Sequence, residues 1–131
     1  MSKTQPLIAV VDDEESVRRA LRRLICSAGL DVEAFTSGDE FLGSLARRLP
    51  DCVILDLHMP QVSGFDVQAR LTQQRRRLPV IVITGRDSDE VRQRALDGGA
   101  VAYLRKPVDD QTLLDAVAHA LVDPVADGNP C

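Results

Sequence analysis

No apolar run in this 131-residue sequence approaches the roughly 20 residues that a bilayer span requires, and the first residues lack the charged-then-apolar layout of a signal peptide. A cytoplasmic setting with no membrane contact is therefore expected. Cysteine is scarce: Cys26, Cys52 and Cys131 are an odd number at no spacing typical of a disulfide framework or a metal knuckle. The first two lie in apolar patterns, which predicts small buried thiols. The two histidines, His58 and His119, have no partner at metal-ligand spacing, and His119 lies off the apolar stripe of its segment, so it should face solvent. Basic excess is missing too. Sixteen Lys and Arg against twenty Asp and Glu leave a net charge of −4, which gives this chain no electrostatic reason to bind nucleic acid directly. The arginine-rich stretches Arg18-Arg19, Arg22-Arg23, Arg47-Arg48 and Arg75-Arg76-Arg77 read as solvated helix faces and ends. Repeats and low-complexity segments are absent.

What is present is the composition of one globular domain, 44% hydrophobic, with short apolar runs alternating with longer amphipathic ones. Leu7–Val11, Cys52–Leu55, Val80–Ile83 and Val101–Leu104 have the brevity and β-branched content of strands, and their near-continuous apolarity predicts burial on both faces. Asp31–Phe35 alternates polar and apolar, as a strand nearer an edge does. Between the strands, helical spacing joins Val17, Ala20, Leu21, Leu24, Ile25 and Ala28; Phe41, Leu42 and Leu45; Phe65, Ala69 and Leu71; and Leu113, Leu114, Val117 and Leu121. Helix starts are marked by Ser37 and by Asp87, each with a glutamate three positions on, and by Asp109. The pattern is α/β, a (βα) unit repeated five times. Crossover helices make the strands parallel and place helices on both faces of an open, doubly wound sheet, whose site lies at the carboxyl ends of the strands.

That rule selects the chemistry. Directly after the first apolar run come Asp12-Asp13-Glu14-Glu15, where nucleotide binders place glycines that welcome an anion. Crowded carboxylates call for a cation among them or for retained protons. The ends of the third, fourth and fifth strands add Asp56, Thr84 and Lys106. Asp12, Asp13 and Asp56 are hard oxygen ligands suited to Mg²⁺. A carboxylate is also a competent nucleophile toward phosphorus, and Lys106 and Thr84 offer one charged and one neutral donor to a transferred phosphoryl group. Asp56, at the end of the middle strand, is the leading nucleophile.

The Asp12-Asp13 pair, Asp56-Leu57-His58-Met59-Pro60 with Gly64, Thr84-Gly85 and Lys106-Pro107 together resemble the receiver domain of the two-component response regulators. The resemblance covers about residues 5 to 122 and is nearest to regulators of the nitrogen-fixation type, in which a receiver precedes a helix-turn-helix output domain. It implies the flavodoxin-like strand order 2-1-3-4-5, and a phosphoryl group passed from a sensor histidine kinase or phosphotransfer domain to Asp56. It implies Mg²⁺, or Mn²⁺ in its place, on Asp13, Asp56 and the backbone carbonyl of His58, with Asp12 assisting. It further implies that Lys106 and Thr84 contact the phosphoryl group, that the Lys106-Pro107 bond is cis, that Tyr103 changes rotamer on activation, and that His58 and Arg86 tune hydrolysis. Val108 departs from the phenylalanine common after Lys-Pro.

A receiver spanning 1–122 and a linker-like tail at 123–131, with DNA reached only through an output domain outside this chain, is the expected organisation. Homodimerisation on phosphorylation is expected to use the fourth helix, fifth strand and fifth helix, and charge reversal at Arg92 or Arg94 should weaken it if those side chains face out. Two rival classes compete with this reading. A haloacid-dehalogenase-like phosphatase wants an acid two residues after the nucleophile, where this chain has His58. A flavodoxin-like cofactor binder wants a first loop that accepts phosphate, which Asp12–Glu15 would repel.

Overall fold

The computed structural model describes residues 5–122; the tail at 123–131, and Cys131 with it, lie outside the described residues. Five strands and five helices alternate along the described chain: β1 (Leu7–Val11), α1 (Glu15–Ser27), β2 (Asp31–Phe35), α2 (Gly38–Ser44), β3 (Cys52–Asp56), α3 (Gly64–Gln73), β4 (Val80–Thr84), α4 (Asp89–Asp97), β5 (Ala102–Arg105) and α5 (Asp110–Val122). All strand pairs are parallel and the order is β2-β1-β3-β4-β5.

The period-2 geometry of a strand divides each central run between two cores. Ala9, Val11, Val53, Leu55, Val80 and Val82 face Phe41 of α2, Val67 and Leu71 of α3, and Ala95 of α4. Ile8, Val10, Cys52, Ile54, Ile81 and Ile83 face Leu21 and Ile25 of α1, and Leu113 and Val117 of α5. The central strands β1, β3 and β4 are buried throughout.

Four local expectations need correction. The run at 101–104 is not buried on both faces, because β5 has a neighbour on one side only; Val101 precedes the strand and is half exposed. On α3 the buried stripe runs through Val67, Gln68 and Leu71, while Ala69 is exposed and Phe65 only partly covered. The cap of α4 is Ser88, whose Oγ accepts the Val91 N–H at 3.0 Å, because the Asp87 carboxylate is held elsewhere, by the Tyr103 hydroxyl. Cys26 is exposed, being one position past the inward-facing Ile25, whereas Cys52 is buried and its thiol is pushed up to about 12, first by burial and then by the charge of Asp51. Ser37 and Asp109 cap α2 and α5 as the sequence indicates, and His119 is exposed.

The approach to α3 is set by one glycine. A Cβ at Gly64 would lie 2.5 Å from the backbone oxygen of Asp56 and 2.7 Å from the Leu57 Cα, so only glycine lets the helix start this close to the end of β3. Ser63 and Asp66 then close a reciprocal capping box.

Candidate functional site

The parallel sheet delivers its chemistry to one edge, beyond the carboxyl ends of β1, β3, β4 and β5. Asp12 follows β1 directly and is fully buried; its Oδ1 accepts the Glu14 N–H at 2.9 Å, which turns the chain away from the strand. Asp13, next along, is exposed, and Asp56 ends β3 at 3% exposure. One carboxylate oxygen from each of Asp12, Asp13 and Asp56 lies within 4.8 Å of the others.

Lys106 closes the cluster. Its Nζ is 2.9 Å from Asp12 Oδ2, 2.9 Å from Glu14 Oε1 and 3.5 Å from Asp56 Oδ1. Burial pulls the Lys106 ammonium toward neutrality, yet its hydrogen bond to Glu14, its close ion pair with Asp12 and the charge of Asp56 outweigh this and hold it above its ordinary value. The group stays charged. Asp56 is pushed up to about 6, first by burial and then by the charge of Asp12, with Lys106 and a hydrogen bond from the His58 backbone offsetting part of the rise. Asp12 Oδ2, although ion-paired with Lys106, has no hydrogen bond of good geometry. A buried carboxylate oxygen left in this way, beside a carboxylate that resists ionisation, is an arrangement that a hard divalent cation fits.

Thr84 ends β4, fully buried. Its Oγ1 accepts the Arg86 N–H at 3.0 Å and shares a 3.1 Å hydrogen bond with His58 Nδ1. Burial, then the nearby charges of Arg86 and Lys106, hold the His58 imidazole below its ordinary value and so favour its neutral form. Arg86 itself is exposed. Tyr103, partly buried on β5, packs against the core on the α2–α3–α4 side, and its hydroxyl donates to Asp87 Oδ1 at 2.8 Å. The Lys106–Pro107 peptide is cis. Sequence reasoning missed the Glu14–Lys106 pair, the anchoring of Tyr103 by Asp87 and the bond between His58 and Thr84. Only the first had a signal, the acidic excess of the first turn. Arg92 and Arg94 are both exposed, and the Arg94 guanidinium also stacks 3.9 Å above the Phe65 ring of α3.

A doubly wound sheet in this order, with an acidic cluster, a buried hydroxyl and an ammonium at its mouth, defines a signalling domain of the receiver class. Residues 8–118 match the response regulator receiver domain family, and the chain belongs to it. Nodulation protein W of Bradyrhizobium diazoefficiens is 42% identical over 119 residues, covering 91% of this chain and 52% of that protein. Response regulator protein TodT of Pseudomonas putida is 38% identical over 121 residues, 92% of this chain and 53% of that protein. The chain thus spans about half the length of these curated relatives. Among solved structures, a response regulator receiver protein from Burkholderia phymatum superposes with a TM-score of 0.79 at 48% identity, covering 89% of this chain and 95% of that one. Vibrio cholerae chemotaxis protein CheY4 does so with 0.82 at 30%, covering 90% and 100%. Receiver domains are phosphorylation-activated switches of two-component systems, served by sensor histidine kinases, and not turnover enzymes; the phosphatase and cofactor-binder readings are set aside. No described helix is long and apolar enough to cross a membrane.

Proposed function

We propose that Asp56 is the phosphoacceptor and that Asp13, Asp56 and the His58 backbone carbonyl, with Asp12 assisting, hold Mg²⁺ or Mn²⁺. The observation that carries this reading is the approach of Asp12, Asp13 and Asp56 oxygens to within 4.8 Å, with Lys106 Nζ 3.5 Å from Asp56 Oδ1. When bound, the cation would neutralise the crowded charge and polarise the phosphoryl oxygens.

The protein groups divide the remaining work. An Asp56 carboxylate oxygen forms the new P–O bond in line as the P–N bond of a phosphohistidine donor breaks, its electron pair leaving to the donor imidazole. Lys106 already stands beside the acceptor oxygen, so binding a phosphoryl oxygen asks it to loosen its contact with Glu14. Thr84 then turns its hydroxyl toward the new dianion, and Tyr103 exchanges its tie to Asp87 for the space vacated. His58 and Arg86 flank the approach of water and set the lifetime of the acyl phosphate.

The reading extends to a receiver at 1–122 with a linker at 123–131, in a cytoplasmic regulator whose separate helix-turn-helix output domain meets DNA. It is supported by the curated relatives, in which the matching region is about half of the protein. Phosphorylation favours pairing of two copies through α4, β5 and α5, and Arg92→Glu or Arg94→Glu weakens that pairing, the second less because the Arg94 guanidinium also rests on the Phe65 ring. Sedimentation at several concentrations, with and without phosphorylation, tests this; monomers in both states would remove dimerisation. The acceptor itself is tested by incubation with acetyl phosphate and Mg²⁺. Asp56→Asn should keep the fold and take up no phosphate, and full labelling of that variant would contradict the assignment.

A further inference from the structure

The Thr84 hydroxyl is committed before any phosphoryl group arrives. A hydroxyl has one proton and two lone pairs. The Arg86 backbone N–H fills one lone pair at 3.0 Å, and the 3.1 Å bond to His58 Nδ1 uses either the proton or the second lone pair, according to the imidazole tautomer. In the first case the proton that a phosphoryl oxygen would need already belongs to Nδ1. In the second the oxygen is held between two donors and moves inward only by breaking one of these bonds. Thr84 is fully buried and His58 partly so, which leaves water little room to replace the lost partner. His58 follows β3 in the loop that begins at the acceptor, and Thr84 ends β4, so the bond ties the acceptor loop to the switch loop.

We infer that His58 is a positioning residue, a latch whose ring holds the Thr84 hydroxyl in its resting place and competes with the phosphoryl group on Asp56 for it. The inference rests on the phosphoacceptor reading above. It predicts that the latch weakens the hold of the site on a phosphoryl group, because Thr84 must give up its bond to the ring, whether to free its proton or to move inward, before it can donate to that group.

Trifluoroberyllate in excess Mg²⁺ is the probe, since it mimics a phosphoryl group on a carboxylate without being hydrolysed. His58→Ala removes the ring and keeps the backbone carbonyl. It should tighten trifluoroberyllate binding about two- to tenfold, the worth of one neutral hydrogen bond. In a Thr84→Val background, where there is no hydroxyl to release, the same substitution should leave affinity unchanged. Equal tightening in both backgrounds would show that the ring acts by bulk and would overturn the latch, as would unchanged or weaker binding in His58→Ala. A second readout needs no variant: the ¹⁵N shift of His58 Nδ1 should report a hydrogen-bonded nitrogen in the free protein and lose that character when trifluoroberyllate binds. A ring signal indifferent to the probe would likewise overturn the latch. The two levels separate cleanly. A parent that takes up no trifluoroberyllate in Mg²⁺ sinks the phosphoacceptor reading and the latch together, whereas a parent that binds it with no gain on removing the ring sinks the latch alone.

Discussion

Asp56 illustrates how a residue is made reactive at the expense of the fold. Its carboxyl is pushed up to about 6 by burial and by Asp12, above the ordinary 3.8, so the folded protein holds this proton more tightly than the unfolded chain does. Stability of the metal-free protein should therefore fall as pH rises through the window from about 4 to about 6, and ionised Asp56 should be a net cost at pH 7. Asp56→Asn is expected to stabilise the metal-free protein at pH 7, by on the order of 1–2 kcal/mol once screening by water at the open mouth is allowed for. It should also flatten the pH dependence in that window. Urea denaturation at pH 4.5 and pH 7 in the presence of a chelator measures both, and a less stable variant would refute the electrostatic account. Gly64 acts with the opposite sign. Gly64→Ala places a methyl group against the Asp56 and Leu57 backbone and should cost about 1–3 kcal/mol, read from the same denaturation curves.

Among the elements, capping and edges explain which readings of the sequence survived. Ser63 accepts the Asp66 N–H at 3.2 Å while the Asp66 carboxylate accepts the Ser63 N–H at 2.9 Å, so Ser63→Ala should cost about 1 kcal/mol. The equivalent test on α4 separates two candidates: Ser88→Ala should destabilise by a similar amount, and Asp87→Ala should release Tyr103 without removing the helix cap. Thermal melts, with tyrosine fluorescence for Asp87→Ala, provide the check. The central strands were legible because LIAVV, CVILD and VIVIT are buried on both faces and carry the pattern in full. The fifth strand misled because its apolar residues suggest cover on both faces, whereas β5, paired on one side only, is partly open along its length. Asp12, Asp13, Asp56, Thr84 and Lys106 were legible because each stands at or just past a strand end, where topology fixes its place. The His58–Thr84 and Tyr103–Asp87 bonds were not, since they depend on side-chain directions across loops that no spacing encodes.

For the molecule as a whole, the cation and the fold are thermodynamically linked. Because the carboxylates of Asp12, Asp13 and Asp56 crowd one mouth, binding of Mg²⁺ to the folded state alone should stabilise it, by about 2.7 kcal/mol at a hundredfold excess over Kd. Asp13→Ala should abolish that gain and, having removed one repelling charge, should melt no lower than the parent when both are metal-free. A parent melting temperature indifferent to Mg²⁺ would count against the site. The central claim, a switch with one phosphoacceptor, is tested most directly by mass spectrometry after incubation with acetyl phosphate and Mg²⁺, with borohydride reduction marking the acyl phosphate as homoserine before peptide mapping. One phosphate per chain, Mg²⁺-dependent and marked at Asp56, is the predicted result; a mark at another residue, or no phosphate at all, would contradict it.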